Sequence, residues 1–165
     1  MGKNIVIKSA ILSIILFLID QISKILVTRL LDIHSSFSVI NNFFYLTYTH
    51  NTGAAFSILT GKRLLLIIIS IIVILTIFYY IRKNKVVDKL EITSFSLIIG
   101  GSLGNLFDRL LRGYVIDFLD FRFFGYNFPI FNLADVFIVV GVFLIIIKTS
   151  RKEDKNANSN RWWHK

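Results

Sequence analysis

The chain has 165 residues, 55% of them hydrophobic, no cysteine, one proline and a formal charge of +9. The apolar share exceeds the roughly 45–50% of a soluble domain and lies in long runs, which points to a membrane. The missing cysteines exclude disulfides, thiol nucleophiles and thiolate metal sites.

Ile5–Val27 is the first apolar stretch. Lys3 and Lys8 followed by the run from Ala10 to Ile19 would also suit a cleavable leader. No small-residue cleavage site follows; Asp20-Gln21-Ile22-Ser23-Lys24 comes instead and apolar residues resume, so the segment reads as a retained helix. The connection from Arg29 to Arg63 contains Phe37–Tyr48, rich in Phe, Tyr, Val and Thr with partial alternation, which predicts strand with a turn at Asn41-Asn42. His50–Ser57 is a polar, small-residue turn leading to the second span. Leu64–Ile81 is the cleanest span, 18 residues without a charge.

Leu90–Leu106 is the third span, with Glu91 near its start and several glycines near its end. Val115–Phe118 falls in a short connection, where Asp117 reads equally well as a solvated loop residue. Phe121–Phe131 is aromatic, with a turn expected at Gly125. Leu133–Ile147 is the fourth span; at 15 residues it crosses only by including Phe128–Asn132 or by local thinning of the bilayer. The expected fold is an all-α polytopic membrane protein of four helices with a small extracytoplasmic β-rich platform. Residues 1–150 form one membrane-embedded domain. Residues 151–165 are expected to be a polar, mobile cytoplasmic tail, in which Trp162 and Trp163 read as an idle terminus ahead of a contact with the membrane interface.

Orientation follows from the basic residues of short loops. With the N-terminus inside, twelve of the nineteen Lys and Arg lie on the inner side. The positive charge is then a topology signal, and nucleic acid is not an expected partner. Asp20, Asp108, Asp117 and Asp135 all fall toward the outer ends of the spans. A carboxylate at a helix centre costs about 2.5–3.5 kcal/mol on insertion scales, so four at one surface need a reason.

Each acid has a structural explanation when taken alone. Gly100 and Gly104 suit close helix packing, and Asp108 beside Arg109 suits an interfacial pair. Gly101, Asn105 and Asp108 share one helix face, which favours a polar site. Asn132 suits an N-cap and Asp135 a helix N-terminus, so Asp135 alone reads as structural. Lys24 reads as a lysine reaching from a helix end to the membrane surface, although a Ser–Lys pair would also use it. His34 and His50 lack metal-ligand spacing, so no metal and no cofactor is expected.

Together, Asp20-Gln21, Asn51–Phe56, Gly101–Arg109 with its Gly-Asn-x-x-Asp-Arg, Val115–Phe118 and Phe131-Asn132-x-Ala134-Asp135 resemble the bacterial lipoprotein signal peptidases, signal peptidase II, in order and spacing from Ile5 to about Ile147. The resemblance implies a membrane aspartic endopeptidase that cuts just before the diacylglyceryl-modified cysteine of a prolipoprotein. It implies Asp117 and Asp135 as the catalytic pair, and Asp20, Asn51, Gly104, Asn105, Asp108, Arg109 and Asn132 as support. Membrane lipid and cyclic peptide inhibitors such as globomycin are implied partners. The chemistry suits: two close carboxylates share a proton, so one can activate water while the other protonates the leaving nitrogen. The asparagines are expected to hold the substrate backbone. Asp20 would support the outer end of its own helix. The rival class is a small proton-coupled transporter, since intramembrane acids also mark ion pathways. That class calls for midplane acids and an internal repeat, whereas these acids gather at one face and no repeat is found. Residue physics without the resemblance leaves the choice of pair open.

Overall fold

The four apolar runs form four helices in the computed structural model, which describes residues 2–54, 58–84, 88–123 and 126–161. The order is α1 (Gly2–Leu30), β1 (Ser36–Ile40), β2 (Phe44–Asn51), α2 (Arg63–Lys83), α3 (Lys89–Leu111), β3 (Val115–Phe123), β4 (Tyr126–Asn127) and α4 (Leu133–Arg161). Each helix carries a segment long and apolar enough to cross a membrane, over Ile5–Leu30, Arg63–Lys83, Lys89–Leu111 and Leu133–Arg151. The fourth reaches its length by continuing past Ile147, not by recruiting Phe128–Asn132. The polar segment that was expected to be a mobile tail continues α4 as helix to Arg161. Gly125, Ala55–Ser57 and the Trp162–Trp163 pair lie outside the described residues.

Large aliphatic side chains face outward, among them Ile14 and Leu18 of α1, Ile72 and Leu75 of α2, and Val139 and Phe143 of α4. The most deeply buried side chains are mainly polar, with Lys24, Asn132, Asp20, Asp108 and Asp117 among them. Lipid tails are as apolar as leucine, so helices associate through close packing and interhelical hydrogen bonds. α3 is the hub, packed against α1, α2 and α4. Ser9 of α1 and Ser96 of α3 share a hydrogen bond of 3.0 Å. A Cβ on Gly100 would stand 2.7 Å from Cβ of Leu16, so only glycine admits α1 this close.

At its start α3 is closed by a capping box: Asp88 accepts from the Glu91 amide, and Glu91 accepts from the Asp88 amide. Lys148 of α4 bridges the two carboxylates at 2.5 and 2.6 Å, and its hydrogen bond holds the Asp88 carboxyl below its ordinary range.

The strands make an antiparallel sheet in the order β1-β2-β3-β4. Asn42 turns the β1–β2 hairpin with φ +61°, a conformation asparagine tolerates. The sheet differs from the sequence expectation at one important place. Val115–Phe118 is the first half of β3, not a loop. Its four residues are all buried, so the alternation that marks a half-exposed strand is missing. Strand geometry still sends neighbours to opposite faces. Ile116 and Phe118 pack with Val27 of α1, and Asp117 between them faces away from that cluster.

Candidate active site

The four aspartates singled out by the sequence divide into two groups, three of them buried and Asp135 half-buried. Asp20 and Asp108 sit between α1 and α3. Lys24, four residues after Asp20 on the same helix face, is fully buried and lies 2.8 Å from Asp20 and 2.9 Å from Asp108. Arg112, one turn after Asp108, pairs with the other oxygen of Asp108. Gln21 donates to Asp20 at 3.1 Å and to Asp108 at 3.2 Å. The two carboxylates are thus charge-compensated by two cations.

Several expectations change here. Asp108 pairs with Lys24 and Arg112, not with Arg109. Lys24 does not reach for the membrane surface; it is enclosed. Ser23 donates to the Asp20 carbonyl at 2.6 Å and forms no Ser–Lys pair. Asp20 supports a distant helix: its Oδ1 accepts from the Ala134 amide at 2.9 Å, in the first turn of α4. A Cβ on Gly104 would collide with the Asp20 carboxylate, which explains the glycine at that point of α3.

Asp117 and Asp135 form the second group, and neutral amides surround them. Asn51, the last residue of β2, donates to Oδ2 of Asp117 at 2.8 Å. Asn132 donates to Oδ1 of Asp117 at 2.6 Å. Asn105 donates to Oδ1 of Asp135 at 2.7 Å. The Asn132 backbone amide reaches Oδ2 of Asp135 at 3.3 Å, and Asn132 Oδ1 accepts from the Asp135 amide at 3.0 Å. Residues 132–135 therefore form a reciprocal cap on α4, as the residue types suggested, and the same two side chains also belong to the site. The amide hydrogens of Asn51, Asn105 and Asn132, expected on the substrate backbone, are directed at the two aspartates.

Among the described residues, neither Asp117 nor Asp135 has an ion pair with a basic side chain. Burial pushes the Asp117 carboxyl up to about 7, and the neighbouring charge of Asp135 pushes in the same direction; the asparagine hydrogen bonds and Lys24 act against them. Arg109 does not touch either acid. Its guanidinium donates to the Gly53 carbonyl at 2.8 Å and so ties the segment after β2 to α3.

The pair lines a cleft of about 580 Å³. Asn51, Asn105, Arg109, Asp117 and Asp135 form its polar end. Leu66 and Ile69 of α2, Phe128–Phe131 and Val136, Val139 and Val140 of α4 form an apolar wall. Lys24, Gln21 and Arg112 are the members of this constellation that the sequence reading did not assign. The available signal was helical spacing, since Asp20–Lys24 and Asp108–Arg112 are both i, i+4 pairs.

Fold and site together define a class: a small multi-pass membrane protein with a carboxylate pair on the wall of a largely apolar cleft. The family of signal peptidase II matches residues 12–151, and the chain belongs to it; the protein is thus a membrane peptidase. The lipoprotein signal peptidase of Halalkalibacterium halodurans is 43% identical over 90% of this chain and 97% of its own length. That of Staphylococcus aureus is 39% identical over 90% and 94%. A bacterial membrane enzyme solved by the in meso method at 2.3 Å superposes with a TM-score of 0.83 and 37% identity, covering 89% of this chain and 90% of the other. A second, at 1.9 Å, gives 0.77 and 39% over 86% and 91%. Nothing in these relatives supports the transporter alternative.

Proposed function

We propose that the protein is an aspartic endopeptidase that removes the signal peptide from lipoprotein precursors, cutting just before a diacylglyceryl-modified cysteine, with Asp117 and Asp135 as its catalytic pair. The observation that carries this reading is the environment of the pair. All four carboxylate oxygens accept from N–H donors, and among the described residues no cation forms an ion pair with them. Such a pair is held in place yet remains free to exchange a proton.

The ionised member takes a proton from water as the water oxygen attacks the peptide carbonyl carbon. The protonated member gives its proton to the leaving nitrogen as the C–N bond breaks. The products are the carboxylate end of the signal peptide and the free amine of the cysteine. With Asp117 near 7, the pair passes a proton readily at neutral pH; its two titrations belong to the pair, not to either residue.

The apolar wall of the cleft suits a hydrophobic signal segment, with exposed Ile69, Val139 and Val140 beside it offering a surface for lipid chains. Exposed Phe37 and Val39 of β1 belong to a platform that shelters the peptide. The excess of Lys and Arg on one side of the spans supports both termini in the cytoplasm and the site near the outer face of a bacterial cell membrane. A cyclic peptide such as globomycin is expected to occupy the same cleft.

The test uses purified protein and two versions of one prolipoprotein peptide, with and without the diacylglyceryl group. The expected result is cleavage before the cysteine in the lipidated peptide alone, blocked by saturating globomycin. Equal cleavage of both peptides would overturn the substrate assignment. Undiminished cleavage at saturating inhibitor would overturn the shared cleft.

A further inference from the structure

Lys24 is the cation at the centre of the α1–α3 contact, yet its reach extends beyond the two acids it neutralises. Its third hydrogen bond goes to Oδ1 of Asn105, at 3.2 Å. An ammonium group only donates, so the carboxamide oxygen of Asn105 must face Lys24. Asn132 Nδ2 donates to that same oxygen at 3.3 Å. The Asn105 Nδ2 then has one direction left, toward Oδ1 of Asp135 at 2.7 Å. A flipped amide would set its N–H groups against two donors and its oxygen against a carboxylate.

We propose that Lys24 is a positioning residue for peptide hydrolysis, fixing the Asn105 carboxamide so that it presents an N–H, not an oxygen, to Asp135. This rests on the reading of Asp117 and Asp135 as the catalytic pair. The neighbouring i, i+4 contact with Asp20 would be satisfied by a purely structural lysine; the contact with Asn105 is the one that links it to the chemistry.

The charge of Lys24 gives a second readout. It favours the ionised form of Asp117. The charged groups packed around the pair are Lys24 and Asp20 from α1, and Asp108, Arg109 and Arg112 from α3; β3 contributes Asp117 and α4 Asp135, while β2 contributes only the neutral Asn51. Replacing Lys24 by methionine removes one positive charge from this set. The acidic limb of the rate profile should then move to higher pH, because the pair holds its proton more firmly.

The experiment compares Lys24→Met with the double variant Asp20→Asn/Lys24→Met, using the full chain and a diacylglyceryl-modified prolipoprotein peptide. The double variant removes one charge of each sign and keeps an acceptor for the Ala134 amide, so it is the less destabilised of the two, and each rate is scaled to the folded fraction. Both should lose about 10- to 100-fold in kcat with KM changed less than about threefold, the scale of one hydrogen bond to a charged group. The pH shift should appear in the single variant and largely vanish in the double. In the wild-type protein, the Asn105 side-chain amide protons should shift with the titration of the pair in NMR spectra. Wild-type kcat in the folded double variant, or Asn105 amide protons that ignore the titration, would overturn the assignment. Asp117→Asn and Asp135→Asn run beside them: turnover by either would sink the catalytic pair itself, whereas two inactive variants with a fully active Lys24 double variant would sink the role of Lys24 alone.

Discussion

Two pairs of aspartates lie a few side chains apart in this protein and live in opposite electrostatic surroundings. Asp20 and Asp108 share Lys24 and draw on Arg112 and Gln21, so their charges are cancelled inside the fold. Among the described residues, Asp117 and Asp135 receive only amide hydrogens, from three asparagine side chains and one backbone N–H. The difference teaches what distinguishes a structural from a reactive carboxylate. A buried acid paired with a cation has its charge cancelled in place and serves the packing; one held by neutral donors keeps its geometry with no countercharge in contact.

The comparison breaks most sharply on substitution of each pair. Asp117→Asn or Asp135→Asn should lower turnover by roughly a thousandfold or more, the scale of losing an acid–base partner, with insertion and folding retained. Asp108→Asn should act the other way. It removes the anion shared by Lys24 and Arg112, and breaking a buried pair costs about 3–5 kcal/mol. A strongly lowered thermal midpoint is expected, with kcat per folded molecule within about tenfold of wild type.

A smaller effect concerns pH. The Asp117 carboxyl is raised to about 7 in the folded protein against 3.8 for the ordinary group, so the folded state binds more protons across that window. Stability contributed there falls as pH rises from about 4 toward 7. Asp117→Asn, which cannot ionise, should therefore melt above wild type at pH 8 and close to it at pH 4, as thermal scans at the two pH values would read. The smallest expected effect lies on the platform. Phe37→Ser, on exposed β1, should raise KM severalfold and leave kcat alone; unchanged kinetics would remove the platform from substrate binding.

The sequence carried the spans and the clustering of acids because both depend on local composition. Eighteen uncharged residues from Leu64 to Ile81 can do little else but cross a bilayer, and Asn132 three residues before Asp135 is a cap in any context. Partner choice was not local. Asp108 stands next to Arg109 in the chain, but a helix turns successive residues about 100° apart, and the partners proved to be Lys24 across the interface and Arg112 one turn on. Asp20 caps a helix 114 residues away, which no pattern around Asp20 announces. Strand β3 hid because Val115–Phe118 is buried on both faces and so lacks alternation. Asp135 looked like a helix cap and is one; its second role depends on Asn105 from another helix.

The central claim is that the two pairs differ in kind, and one set of rates tests it. Four single variants, Asp20→Asn, Asp108→Asn, Asp117→Asn and Asp135→Asn, are compared for single-turnover cleavage of a diacylglyceryl-modified prolipoprotein peptide, each rate scaled to the folded fraction. Asp117→Asn and Asp135→Asn should be folded and inactive, while Asp20→Asn and Asp108→Asn lose mainly folded protein. Normal turnover by Asp117→Asn or Asp135→Asn would contradict it, as would complete loss of chemistry in well-folded Asp20→Asn and Asp108→Asn.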